Sequence, residues 1–267
     1  MLVELAIIFI LAGCAAGFMA GLLGIGGGFV IVPVLVWVLP LAGIQAEDVA
    51  HYAIGTSLLC ICVTAIFSAR AHHQKNAVDW QLFKTISPGL IIGTLLGAAL
   101  AGILAGKWLI VIFVTGAFST GFYLLSGHQP KAHPSQSPWP FFWYGQLTGV
   151  ISALIGIGGG SVLVPFLVYK GKPVVVSVGT AAACGFPIAL FGALGYAISG
   201  WEIGQSLAYA TGYLYWPAFL GIVVFSSLCA PLGARVAHSI PPERLKQAFA
   251  GFLFLTGAQI LYSHWLS

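Results

Sequence analysis

Along the chain, polar positions are confined to short intervals and apolar positions gather into long runs. The runs lie at about 2–23, 28–44, 49–69, 82–105, 108–126, 141–155, 161–169, 174–199, 205–234 and 245–266. About 20 apolar residues in a helix cross a hydrocarbon core of about 30 Å, so most of these runs predict membrane helices. The run 161–169 reaches only about 14 Å as a helix and cannot span alone. Its counterpart after Gly28 is interrupted by Pro33 and Pro40. The one stretch that reads as a linker is Ser126 to Pro140, with Pro130, Pro134, Pro138 and Pro140 among polar residues. It predicts a first transmembrane repeat over 1–126, a proline-rich linker over 127–140 and a second repeat over 141–267.

Composition says why lipid must surround these runs. Of 267 residues, 59% are apolar and 6% are charged, against roughly a quarter charged in soluble domains. The expected class is an all-α integral membrane protein of about eight to ten spans. The +4 formal charge does not call for nucleic acid, because its basic residues sit in short loops, where the positive-inside bias accounts for them. Cys14, Cys60, Cys62, Cys184 and Cys229 all lie inside apolar runs and read as small hydrophobes, not as disulfides or metal ligands. Leu11-Ala12-Gly13-Cys14 resembles a lipoprotein cleavage box, but Glu4 stands where a signal peptide carries a base and the run continues to Leu23. It reads as an uncleaved first span.

Charge placement decides how the two short runs are counted. If each folds back to the side where the preceding helix began, then Arg70, Lys75, Lys84, Lys131, Lys170, Lys172, Arg235, Arg244 and Lys246 share one face, and only Lys107 lies opposite. If they are not crossings, Arg70, Lys75, Lys84 and Lys131 face the remaining six. The first distribution is the one the positive-inside rule expects. Glu4, Glu47, Asp48 and Glu202 then fall on the face poor in bases. Both termini are placed outside the cytoplasm.

The halves also match in sequence. Gly17 to Pro33 (GFMAGLLGIGGGFVIVP) lies over Gly149 to Pro165 (GVISALIGIGGGSVLVP) at a constant offset of 132 residues. Gly55-Thr56-Ser57 matches Gly179-Thr180-Ala181, and Gly97-Ala98 matches Gly233-Ala234. Two such copies point to duplication. With five segments in each half, the second copy sits upside down, an arrangement typical of secondary transporters with broken helices.

Consecutive glycines between apolar runs leave main-chain N–H groups without helical acceptors, tolerated in lipid only against protein or a polar cavity. The short helices that follow would offer those amides and their positive dipole ends to an anion. Gly24, Gly26, Gly27 and Gly28 of the first motif and Gly156, Gly158, Gly159 and Gly160 of the second are therefore the candidate substrate-binding residues, near the midplane. Tight helix packing by small residues is the competing reading. A dinucleotide loop is excluded, because Phe29 and Ser161 occupy the third glycine's place. Thr56, Ser57, Ser161 and Thr180 are candidate hydroxyl donors, though such residues often bond their own helical turn. Gln146 and Thr148, in the helix leading to the second motif, are further candidates. His51, Tyr52 and Tyr196 rank behind them as interfacial aromatics, and Arg235 suits a cytoplasmic edge.

No Asp or Glu lies deep in a span, so no carboxylate proton relay is visible. Zinc-protease, nucleophile-elbow and Walker patterns do not occur, which argues against an enzyme or ATP-driven pump; no cofactor or metal is expected.

At the duplicated G-x-G-G-G-x-x-x-V-P element, Gly24–Pro33 and Gly156–Pro165, the chain resembles the TauE/SafE sulfite exporter family, also called the sulfite and organosulfonate permease family. The later Gly-Thr and Gly-Ala pairs and the overall length agree with that resemblance. It implies a multi-pass carrier of the bacterial inner (plasma) membrane. The implied substrate is a small sulfur-containing anion such as sulfite or sulfoacetate, often exported. A passive anion channel and a membrane sensor or structural protein are the rivals. The implied partners are a small anion and the lipid bilayer, with no nucleic acid, and a homodimer is left open.

Overall fold

The computed structural model describes residues 2–23, 26–126, 139–205, 207–236 and 242–265. Among them the chain forms α1 (Leu2–Leu23), α2 (Gly28–Val38), α3 (Val49–His73), α4 (Trp80–Ile103), α5 (Gly106–Leu125) and α6 (Trp139–Ile155). The second half continues with α7 (Gly160–Tyr169), α8 (Val174–Ser199), a four-residue α9 (Trp201–Gly204), α10 (Trp216–Val236) and α11 (Pro242–Trp265). A 3-10 turn, Leu39–Ala42, extends α2, and Ala210–Thr211 pairs antiparallel with Leu214–Tyr215 in a two-residue hairpin.

The fold is all-α, as the apolar runs predict, with almost every boundary within a few residues. Helices α3, α4, α5 and α8 and the stretch Trp216–Gly233 of α10 are long and apolar enough to cross a membrane. The chain is a multi-pass membrane protein, and its outer surface agrees: Trp37, Leu96, Ile103, Trp108, Phe122 and Leu255 are large, apolar and exposed. Helices α2 and α7 are short, and each carries a proline, Pro33 and Pro165, at its sixth position. The prolines 130, 134 and 138 and Lys131 lie outside the described residues; α6 opens at Trp139.

One expectation is corrected. The apolar run 205–234 is not one helix, because α10 begins only at Trp216 and the hairpin precedes it. Gly212 takes φ 56° and lies directly on the Ala197 carbonyl, leaving no room for a side chain. The hairpin reads as apolar because Tyr213 and Leu214 are buried beneath it.

Close helix contacts run through glycine. Gly13 and Gly17 of α1 meet the main chain of Ile222 and Ser226 on α10, the two helices running parallel. Gly89, Gly93 and Gly97 of α4 meet Phe142, Gln146 and Val150 on parallel α6. Without a side chain, the backbones approach until main-chain atoms touch. At the centre α3 and α8 run antiparallel, with Gly55 against Tyr196, Ala65 against Gly185 and His72 against Gly179. On the periphery α5 and α11 are antiparallel too, with Gly121 facing Phe254 and Gly257 facing Phe118. Exchanging the halves exchanges these pairings: α1 with α10 becomes α6 with α4, and α4 with α8 becomes α10 with α3.

The two ends of the bundle are each tied between halves. At one end Lys172, just past α7, pairs with Asp79 at 2.8 Å, and the Asp79 N–H donates to Thr180 Oγ1. At the other, His51 stacks on Tyr213 with ring centroids 4.7 Å apart, and the Tyr215 N–H donates to Thr56 Oγ1.

Candidate functional site

The two glycine motifs are the breaks between α1 and α2 and between α6 and α7. Gly24 lies outside the described residues. Gly27 and Gly159, immediately before α2 and α7, hold φ values of 75° and 76°, a left-handed conformation that glycine adopts without the Cβ penalty. The Gly27 carbonyl accepts from Val30 and Ile31, and the Gly159 carbonyl accepts from Val162 and Leu163. Among the described residues, the amides of Gly158, Gly159, Gly160 and Ser161 have no main-chain acceptor. They crowd at the N-terminus of α7, where the helix dipole is positive.

The breaks touch. A methyl built on Gly26 would lie 3.0 Å from Gly158 Cα, and one on Gly28 would run into the Gly156 carbonyl. Around the contact stand Ile54, Ser57 and Ile61 of α3 and Gly185 and Ile188 of α8. Ile61 and Gly185 are near the middle of their helices, so the breaks meet at half the height of the central pair. Gly27, Gly28 and Gly156 to Gly160 are buried, and Gly26 is half-buried. Among the described residues the two breaks and the surrounding helices pack against each other here.

The candidate residues divide by what their polar atoms do. Ser57 Oγ donates to the Gly156 carbonyl at 2.9 Å and so braces the second break. Thr56 and Thr180 accept the Tyr215 and Asp79 amides at opposite ends of the α3–α8 pair. Gln146 is half-buried, and it is its main-chain carbonyl that lies against Gly93. Ser161 Oγ is buried without a partner. Tyr196 donates to the Ala153 carbonyl at 3.1 Å, holding the end of α6 that leads into the break. His51 Nε2 lies 3.1 Å from both the Ala101 and Leu104 carbonyls. Both are acceptors, so Nε2 carries the proton and caps α4.

Sequence reading overlooked Ser152 and Thr94. Both are buried, and neither hydroxyl has a partner; Thr148 shares that property. The available signal was the four-residue spacing of Thr148 and Ser152, which puts both on one face of the helix entering the second break. All these donors are neutral. Among the described residues no group of three metal-ligating side chains forms. The charged groups lie at the bundle ends. There burial pushes the Asp79 carboxyl up, but Lys172 and the Leu82 amide outweigh it and hold the group below its ordinary value. Burial raises the Asp48 carboxyl.

Comparison with known proteins agrees with this architecture. The profile described as "Sulfite exporter TauE/SafE" matches residues 9–260. A "Probable membrane transporter protein" of Haemophilus influenzae is 34% identical over 92% of this chain and 94% of its own length. One of Methanocaldococcus jannaschii is 27% identical over 95% of this chain and 94% of its own. The "Probable inner membrane transporter protein TsaS" of Comamonas testosteroni is 25% identical over 70% of this chain and 74% of its own. No solved structure matches the chain.

Proposed function

The chain belongs to the sulfite exporter TauE/SafE family, and from that premise we propose that it is a secondary transporter exporting a small sulfur-containing anion, sulfite or an organosulfonate such as sulfoacetate. The observation that carries this reading is the meeting of two glycine breaks, one from each half, at mid-height between α3 and α8. Transporters built from repeats bind substrate where broken helices converge.

The halves are inverted repeats in this reading. In its support, the equivalent helices α3 and α8 run antiparallel, as do α5 and α11. The base-rich ends face the cytoplasm of an inner membrane, and both termini face outward. The touching breaks and the ties between halves at both bundle ends correspond, in this reading, to an occluded state. Rocking of one half against the other parts the breaks and admits the anion to the amides that open α7. Export is downhill electrically, by about 2.3 kcal/mol per charge for each 100 mV, inside negative. An anion carrier of this kind has no catalytic step, in keeping with a family of membrane transporters.

Purified protein in liposomes tests the proposal. Radiolabelled sulfite or sulfoacetate should enter with saturation and show counterflow against unlabelled anion. Currents that grow linearly with concentration would identify a channel, and no movement of either anion would end the transporter reading.

A further inference from the structure

Hydroxyls inside membrane helices ordinarily bond the carbonyl one turn back. Thr64, Ser87, Thr115, Ser227 and Thr256 all do so, to Cys60, Phe83, Val111, Val223 and Phe252. Thr148 and Ser152 do not. Both are 0% exposed and their oxygens have no partner. They sit one turn apart on α6, on the side that meets the second break. A methyl built on Gly159 would lie 3.2 Å from Ser152 Oγ and 3.3 Å from Thr148 Cγ2. Ser161, in the first turn of α7, holds a third buried and unpartnered oxygen. The amides of Gly158 to Ser161, which have no main-chain acceptor among the described residues, adjoin the same turn.

Among the described residues, the first break carries no such group. At the offset of 132 residues, Ala16, Ala20 and Phe29 stand where Thr148, Ser152 and Ser161 stand. Gly27 packs on the Ala16 carbonyl and methyl. Leaving donors buried and unmade is costly, and three such hydroxyls stand together at the second break.

We propose that Thr148, Ser152 and Ser161, with the amides opening α7, form a one-sided oxyanion site carried by the second half alone, selective for a singly charged sulfonate-type group. The proposal rests on the transporter reading and narrows it. Every donor in the cluster is neutral, and the described Lys and Arg residues lie at helix ends or in loops. The cost of removing an ion from water climbs steeply with its charge, so neutral hydrogen bonds compensate a monoanion far better than a dianion. Ile188, beside Gly159, supplies an apolar wall for a carbon substituent.

The test uses full-length protein in liposomes, with methanesulfonate and sulfate as probes and Ser152→Ala and Thr148→Val as variants. Because the deleted hydroxyls are unpartnered, the ligand-free melting temperature should hold or rise. The concentration for half-maximal methanesulfonate counterflow should increase about tenfold or more. Ser152→Cys, nearly the same volume with a weak donor, serves if the alanine variant does not fold and should weaken counterflow likewise. Wild-type protein should prefer methanesulfonate to sulfate. If wild-type protein counterflows methanesulfonate and the variants match it, the hydroxyl site is wrong while the transporter reading stands. Sulfate competing better than methanesulfonate overturns the charge selection. If the wild type moves neither these probes nor sulfite and sulfoacetate, both readings fall together.

Discussion

Ser57 on α3 donates a 2.9 Å hydrogen bond to the Gly156 carbonyl and so fastens the break of the second half to a helix of the first. Both groups are buried. Ser57→Ala leaves that acceptor unpaired, at a cost of about 1–3 kcal/mol. The expected outcome is a lower melting temperature in detergent and faster proteolysis near the breaks. An unchanged melting temperature would mean that the carbonyl finds another donor.

Gly28 and Gly251 separate close packing from helix propensity. Alanine at Gly28 would place its Cβ on the Gly156 carbonyl, a main-chain atom with little freedom to move. Gly28→Ala should force the breaks apart and abolish transport. Gly251 has nothing within 4 Å of that position, and Gly251→Ala should raise stability by up to about 1 kcal/mol with transport intact. Transport assays and thermal unfolding on the pair give the comparison; an active Gly28→Ala protein would contradict the contact.

The Asp79–Lys172 pair predicts a pH dependence. The Asp79 carboxyl is held below its ordinary 3.8. Its contribution is therefore complete above that value and is lost as pH falls through the lower folded value. The pair is partly exposed, the Lys172 side chain 38% and the Asp79 side chain 24% accessible, so its worth is at most about 1 kcal/mol. In Lys172→Met the carboxyl loses its depressing partner, so the variant should be less stable near neutral pH and should lose less stability than the wild type on acidification. Superimposable acid limbs would remove the pair from the account.

His51 caps the last carbonyls of α4 through Nε2. Replacing it with Ala takes the side-chain donor from the Leu104 carbonyl, leaves the Ala101 carbonyl with the Leu104 N–H, and removes the ring stacked on Tyr213. The expected loss is about 1–3 kcal/mol, read by thermal unfolding, with Gln as a partial rescue because its amide also donates.

Much of the fold was legible because membrane helices advertise themselves: lipid demands long apolar runs, and glycine and proline mark where those runs stop. Run 174–199 coincides with α8 residue for residue. The run 205–234 misled because a buried hairpin satisfies the same apolar demand as a helix, and only the fit of Gly212 on Ala197 separates them. At the site, the glycines could be located from their pattern, but Ser152 could not. A serine among apolar residues reads as one that bonds its own turn, and whether it does so depends on neighbours distant in sequence.

The order of apolar and polar residues along the chain thus settled the class of protein, its helices and the positions of the two breaks, since solvation by lipid acts on each segment separately. Folding decided the rest: that the breaks touch, that Thr56 and Thr180 each take a main-chain amide from the other half while Ser57 braces the Gly156 carbonyl, and that the unpartnered hydroxyls of Thr148, Ser152 and Ser161 stand together at the second break. Those outcomes depend on which backbones can approach within contact distance, a property of packed helices in three dimensions that no single segment contains.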